Sequence, residues 1–202
     1  MVELLRCSRL SGRAAVLAGL IGMLGCTSAS AFEVQRAEAV FVDEEYRFEM
    51  TALLDASVDA VEPVLRDYEG YKALDPRILE ARVIERDPAQ HIATLETTLR
   101  ACVGPVCRNV KRIERVEESP GGLIATTDAA RSDMKLGETR MTLEKTEDGR
   151  TRVIYRTRLK PDFWIPALVA RRIMLETLED ATIDLFRNVE KRAQHNVPPP
   201  KS

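Results

Sequence analysis

Asp162-Phe163-Trp164-Ile165-Pro166, followed by the run from Ala167 to Ala193, decides how this sequence folds. Pro166 suits the first position of a helix, where the amide it lacks would have no intrahelical acceptor. Beyond it, Ala167, Ala170, Met174, Leu178, Ala181, Leu185 and Val189 recur at steps of three and four, and Leu175, Thr182 and Phe186 widen the stripe. One face is therefore apolar, while Arg171, Arg172, Glu176, Glu179, Asp180, Asp184, Arg187, Glu190, Lys191 and Arg192 fill most of the rest. A helix of roughly 27 residues spans about 40 Å, and its charges argue against a membrane span. It needs an apolar partner surface of similar length.

The chain upstream supplies strands. Tyr46, Phe48, Met50, Ala52 and Leu54 alternate with more polar neighbours, the period of a half-buried strand. The same period returns in Leu79, Ala81 and Val83, in Ala93, Leu95, Thr97 and Leu99, in Thr139, Met141 and Leu143, and in Val153, Tyr155, Thr157 and Leu159. Leu123 to Ala130 adds a strand, and Arg108 to Glu117 is irregular enough to suggest a bulge. Asp43-Glu44, Asp87-Pro88, Pro120-Gly121-Gly122 and Asp148-Gly149 punctuate the runs, the last being the clearest hairpin turn because Asp-Gly accepts positive φ. Asp133 to Gly137 reads as a loop. Between the first two strands, Val61, Val64, Leu65 and Tyr68 mark a short helix, with Asp59 preferred over Ser57 as its cap so that Pro63 falls early. A further short segment, Tyr71 to Leu74, follows Gly70. The order predicts an α+β fold, a curved antiparallel sheet of about six to seven strands wrapped around one long C-terminal helix.

A chain of 202 residues accommodates one such domain and a leader. The expected division is a signal peptide at 1–31, an extended segment at 32–45, the domain at 46–193 and a disordered tail at 194–202 containing Pro198-Pro199-Pro200. Arg6, Arg9 and Arg13 precede an apolar run from Ala14 to Leu24, and Ala29-Ser30-Ala31 then supplies small residues, the pattern of a secretory signal peptide. Met23-Leu24-Gly25-Cys26 also resembles a lipobox, in which Cys26 would be acylated. The expected location is thus periplasmic or secreted, with a lipoprotein anchor as the alternative. Cleavage after Ala31 removes three of 30 basic and one of 32 acidic residues, leaving a mildly acidic chain with no overall field favouring nucleic acid. Cys102 and Cys107 then remain, and their spacing around Gly104-Pro105 suits a disulfide across a hairpin, with two free thiols as the alternative.

The order of elements resembles the helix-grip fold of the START-like (SRPBCC) superfamily of polyketide cyclases and dehydrases, coenzyme Q-binding proteins and lipid-transfer domains. Locally, the stretch from Ala56 to Tyr71, with its Asp67-Tyr68 pair, is similar to the family's first helix, and Asp162 to Pro166 to the entry of its long helix. Lys72 departs from the proline common after the tyrosine in coenzyme Q-binding relatives, which weakens that ligand assignment. The resemblance implies a deep cavity holding a hydrophobic small molecule such as a lipid or isoprenoid, with no cofactor. Tyr68, Tyr71, Tyr155, Phe163, Trp164, Ile165, Met174 and Leu178 are the expected ligand-binding residues. Phe163, Trp164, Ile165, Tyr68 and Tyr71 are expected to flank the entrance, where peripheral membrane contact is also possible.

Small inward residues, Ala52, Ala81, Ala93, Thr97, Ala125, Thr157, Ala170 and Ala181, either leave room for a ligand or permit close packing. Enzymatic motifs are missing: there is no HExxH run, GxSxG elbow or phosphate loop, and His91 and His195 fall in a turn and the tail. Tyr155 is the best-phased polar candidate for the interior, while Arg100, Asp128 and Arg140 would enter it if their strands shift phase by one residue. Arg152, Arg156, Arg158 and Lys160 offer a basic surface for acidic headgroups. Three functions stay open: a carrier, a cofactor-independent cyclase or dehydrase, and a pocketless interaction protein.

Overall fold

The computed structural model describes residues 32–103, 106–163 and 169–195. The leader with Cys26, the helix entry at Trp164, Ile165 and Pro166, the side chain of Ala170 and the tail beyond His195 lie outside the described residues. Eight strands, β1 (Glu33–Val42), β2 (Glu45–Leu54), β3 (Ile78–Asp87), β4 (Ile92–Val103), β5 (Val106–Ser119), β6 (Gly122–Thr127), β7 (Met134–Lys145) and β8 (Thr151–Pro161), form one sheet. Its order is β1-β2-β8-β7-β6-β5-β4-β3, and every neighbouring pair is antiparallel. Three helices, α1 (Val58–Arg66), α2 (Tyr71–Leu74) and α3 (Val169–His195), complete the α+β helix-grip architecture.

The strand count exceeds the sequence expectation because the segment after Phe32 is β1. Asp43 and Glu44 adopt φ of 53° and 61°, a two-residue turn that folds Val42 back onto Glu45 and puts β1 in register with β2. β1 exposes valines as well as charged residues and gains its extended form from pairing. Both edge strands carry bulges, and those of β3 turn Leu79 and Ile84 outward, at 36% and 37% exposure. Leu79 therefore does not join Ala81 and Val83 on the inner side. Asp133 to Gly137 is not all loop either: β7 begins at Met134 with a bulge before Leu136. β6 ends at Thr127, and Ala129–Arg131 forms a 3-10 turn.

Helix α1 begins after Ser57, whose carbonyl accepts from the amides of Ala60 and Val61 at 3.0 Å each, so Asp59 lies inside the first turn and is not the cap. Pro63 sits within the helix. The carbonyl of Asp59 is the one deprived of a donor, and both residues are exposed, so water can satisfy it. Glu62, instead of closing a capping box, accepts from Arg66 at 2.6 Å and from the Gly121 amide at 3.1 Å, tying α1 to the β5–β6 turn.

The core gathers at one end. Phe48, Met50, Ala52 and Leu54 of β2 meet Val61, Val64 and Leu65 of α1 and Phe186, Val189 and Ala193 of α3. Four polar tethers fix this half of α3. Buried Glu190 accepts from the amides of Asp55 (2.6 Å) and Phe32 (3.2 Å), Asn188 donates to the Leu74 carbonyl (2.9 Å), Arg192 pairs with Asp67 (2.5 Å), and Gln194 donates to the Asp55 carbonyl (2.9 Å). Glu190 therefore departs from the solvated face on which its helical spacing places it.

Candidate functional site: a cavity under the long helix

Toward its N-terminal half, α3 covers a cavity of about 700 Å³. Strands β2 to β8 all contribute one face to it, which requires the sheet to curve around the helix. From α3 come Met174, Leu178, Ala181 and Phe186 among others; from the sheet come Leu95, Val110, Ala125, Met141 and Leu159. Among the small residues, Thr97, Ala125, Thr157 and Ala181 face the hollow, whereas Ala52 and Ala93 are packed into the core clusters. This geometry speaks against a wholly filled interior.

Strand β5 supplies the polar part of the wall. Val110, Arg112, Glu114 and Val116 occupy successive inward positions, so a charged pair stands where the period calls for apolar residues. That substitution, and no bulge, explains the irregular look of Arg108 to Glu117. The Arg112 Nη2 donates to Glu114, with the side chains only 19% and 11% exposed. The Arg112 Nε is buried and finds no acceptor among the described residues. Such an unsatisfied donor costs about 1–3 kcal/mol.

Tyr155 of β8 lies in the wall, its ring edge-on to Phe186 with centroids 5.5 Å apart. Burial pushes its phenol pKa up, and the Arg112 guanidinium and the Thr139 and Thr157 hydroxyls oppose the shift. Those two threonines share a hydrogen bond of 2.9 Å. Tyr71 donates to the Leu65 carbonyl at 2.6 Å, and burial likewise raises its pKa. Tyr68 donates to Glu118 at 2.7 Å; burial first, then this bond, raises its pKa. All three phenols are neutral at ordinary pH, able to donate or accept a hydrogen bond but not to serve as ready bases.

Tyr68, Tyr71, Tyr155, Phe163, Met174 and Leu178 all line the cavity. They do not lie at one end of it. Phe163 stacks under the Arg108 guanidinium (4.0 Å), near the start of β5, whereas Tyr68 bonds to Glu118 near its end. Ten residues of strand separate these contacts by about 33 Å. Tyr68 and Tyr71 belong to the end beside α1, where long-range packing places that helix. Toward the other end lie Pro76, Arg77, Arg100, Cys102, Phe163 and Met174. Arg77 is braced there by Asp75 (2.8 Å) and the Ala181 carbonyl (3.1 Å). Arg100 reaches the cavity rim, while Arg140 is exposed and Asp128 accepts from the Ala130 amide at the 3-10 turn. Cys102 and Cys107 are bonded across directly paired positions of β4 and β5.

Residues 45–193 match the family described as polyketide cyclase / dehydrase and lipid transport, and the chain belongs to it. Similar solved structures include a START superfamily protein from Mycobacterium smegmatis (16% identity, TM-score 0.60, covering 75% of this chain and 99% of that one). The Zhui aromatase/cyclase from Streptomyces sp. R1128 is similar at 14% identity and a TM-score of 0.62, with 77% and 97% covered. A STAR-related lipid transfer protein from Xanthomonas axonopodis is similar at 12% identity and a TM-score of 0.60, with 82% and 99% covered. No curated protein matches. At these identities the likenesses establish the fold, and the contents of the cavity have to be argued from its walls.

Proposed function

We propose that the protein binds a hydrophobic small molecule, carrying one hydrogen-bond-accepting group, in the cavity under α3, and that it carries this ligand within an oxidising compartment of the cell envelope. The observation that carries the reading is a hollow of about 700 Å³ with mostly apolar walls, into which β5 brings the charged pair Arg112 and Glu114. A volume of that size suits a ligand of roughly 300–1,000 Å³ pocket class. Each CH₂ buried there contributes about 0.8 kcal/mol, and the Arg112 guanidinium in the wall can donate to an acceptor on the ligand. The disulfide and the signal-peptide pattern of the first 31 residues support the compartment. Uptake of a fluorescent polyene fatty acid tests the reading. Ala181→Trp, which fills the cavity from α3, should lower affinity tenfold or more while leaving the helical and strand signal intact. Absence of uptake by the unaltered protein, or uptake unchanged by the substitution, would refute it.

One observation favours a second reading. Arg112, Glu114 and Tyr155 stand together in the cavity wall, where a guanidinium can polarise a carbonyl and a carboxylate can move a proton. A cyclase or dehydrase acting on an apolar polyketone would use them so. Turnover abolished in Tyr155→Phe with binding retained would separate catalysis from carriage.

A further inference from the structure

Two carboxylate residues are buried among the described residues, Glu114 and Glu190. Glu114 has Arg112 against it, as a charge taken out of water requires. Glu190 has no basic side chain within 4.0 Å among the described residues, because its neighbours on α3, Arg187 and Arg192, are committed to Asp184 (2.6 Å) and Asp67 (2.5 Å). It holds two backbone nitrogens instead, those of Asp55 and Phe32, at 2.6 and 3.2 Å. Phe32 is seated by more than this bond. Its ring packs against the core cluster that contains Phe186, Val189 and Ala193, with the Arg187 guanidinium 5.6 Å from the ring centroid. In the sequence, Phe32 is the residue that follows Ala29-Ser30-Ala31, the small residues that end the signal-peptide pattern. The nitrogen that cleavage there would free is therefore the atom already held against a buried carboxylate. The family match begins at residue 45, so Phe32 and β1 lie outside it.

We propose that the Ala31–Phe32 bond is cut during export and that the new α-ammonium of Phe32 is the counter-ion of Glu190. Hydrolysis by a peptidase of the export route consumes one water: the carbonyl half leaves as a carboxylate on Ala31, and the nitrogen half stays on Phe32 and takes up a proton. An α-amine is mostly protonated at neutral pH, its ordinary pKa being about 7.7–8.0. The Glu190 carboxylate then gains a full opposite charge at hydrogen-bond distance, in a site shielded from water where the attraction is little screened. Cleavage thus compensates the buried charge and ties the start of β1 to α3. Acylation at Cys26 would leave six residues, Cys26 to Ala31, ahead of Phe32, and its nitrogen would stay an amide. The seat at Glu190 therefore favours the free form of the protein over the anchored one. The inference rests on the envelope location read above and is independent of what the cavity holds.

The test uses the full chain, expressed with its own first 31 residues in a Gram-negative bacterium and recovered from the periplasm. Intact mass and N-terminal sequencing should give Phe32-Glu33-Val34-Gln35 as the first residues. A second chain carries one serine inserted after Ala31, so that cleavage at the same place, checked by mass, leaves Phe32 with a peptide nitrogen and moves the ammonium about 3.8 Å along the chain. It should melt about 2–4 °C below the unaltered protein. In the E190Q background the same insertion should shift the melting temperature by less than about 1 °C, because no carboxylate is left for the ammonium to meet, and the difference between the two shifts isolates the pair. Export with a first residue other than Phe32, acylated Cys26 included, overturns the inference and leaves the envelope location standing. An insertion that costs as much in E190Q as in the unaltered protein also overturns it. Chain found only uncut and in the cytoplasm overturns both readings.

Discussion

Arg112 and Glu114 stand two residues apart on β5 and pair with each other inside the cavity wall, at side-chain exposures of 19% and 11%. Two charges taken this far from water compensate each other, and neither is well tolerated alone. Glu114→Leu should therefore destabilise the protein by about 3 kcal/mol, whereas the double variant Arg112→Met, Glu114→Leu should return to within about 1 kcal/mol of the unaltered protein. Urea unfolding of the three proteins checks this. Equal losses in the single and double variants would show that the pair is not coupled.

Glu190 is the polar pin between α3 and the first strands. Its carboxylate accepts two backbone amides, those of Phe32 and Asp55, at 6% residue exposure. Glu190→Ala leaves both donors without their acceptor and should cost about 3 kcal/mol, while Glu190→Gln, which keeps an acceptor oxygen, should cost about 1 kcal/mol. Hydrogen exchange at Asp55 should quicken in the alanine variant. Protection unchanged at that amide would contradict the assignment.

The hollow and the packed regions should answer truncation differently. Phe48 is fully buried in the core and outside the cavity lining, so Phe48→Ala should cost about 3–5 kcal/mol. Met174 lines a space that is already hollow, so Met174→Ala should cost less than about 1 kcal/mol in stability and act on ligand affinity instead. Chemical denaturation with and without the fatty-acid probe distinguishes the two outcomes.

All four tyrosines, Tyr46, Tyr68, Tyr71 and Tyr155, are held above the ordinary phenol value of 10.0, with burial the main cause in each. The folded state therefore keeps its phenolic protons above the pH at which the unfolded chain releases them. Stability is unaffected by these groups below about pH 10 and falls as pH rises beyond it. Absorbance at the phenolate band should stay flat past pH 10 and then rise together with loss of the fold. A normal titration with the fold intact would contradict the buried placement.

The Cys102–Cys107 bond closes a short loop, five residues apart in sequence, so the chain-entropy contribution is about 2 kcal/mol. Reduction should lower the melting temperature by about 4–8 °C without emptying the cavity. Thermal melts with and without reductant check it.

The meander was legible because antiparallel strands with one covered face alternate strictly, as Ala93, Leu95 and Thr97 do on β4. The Asp148-Gly149 turn was legible for a local reason as well, Gly149 having φ of 84°. β1 was not, since its residues are half polar and its form comes from pairing with β2. Arg112 and Glu114 escaped notice although they stand in phase between Val110 and Val116. Phase identifies which face a residue takes, and reading charge as solvent exposure hid the signal. Tyr68 and Tyr71 line the cavity, and the end of it they take is decided by α1 docking on the β5–β6 turn, through contacts more than 50 residues apart such as Arg66 to the Ser119 carbonyl.

The central claim is that the cavity holds an apolar ligand, and native mass spectrometry of the protein from its own cell envelope, before and after solvent extraction, tests it most directly. The account predicts a defined apolar molecule near one per chain, released by solvent and lost from the Ala181→Trp variant. Protein that is empty in every preparation and stays empty after lipid is added would contradict it.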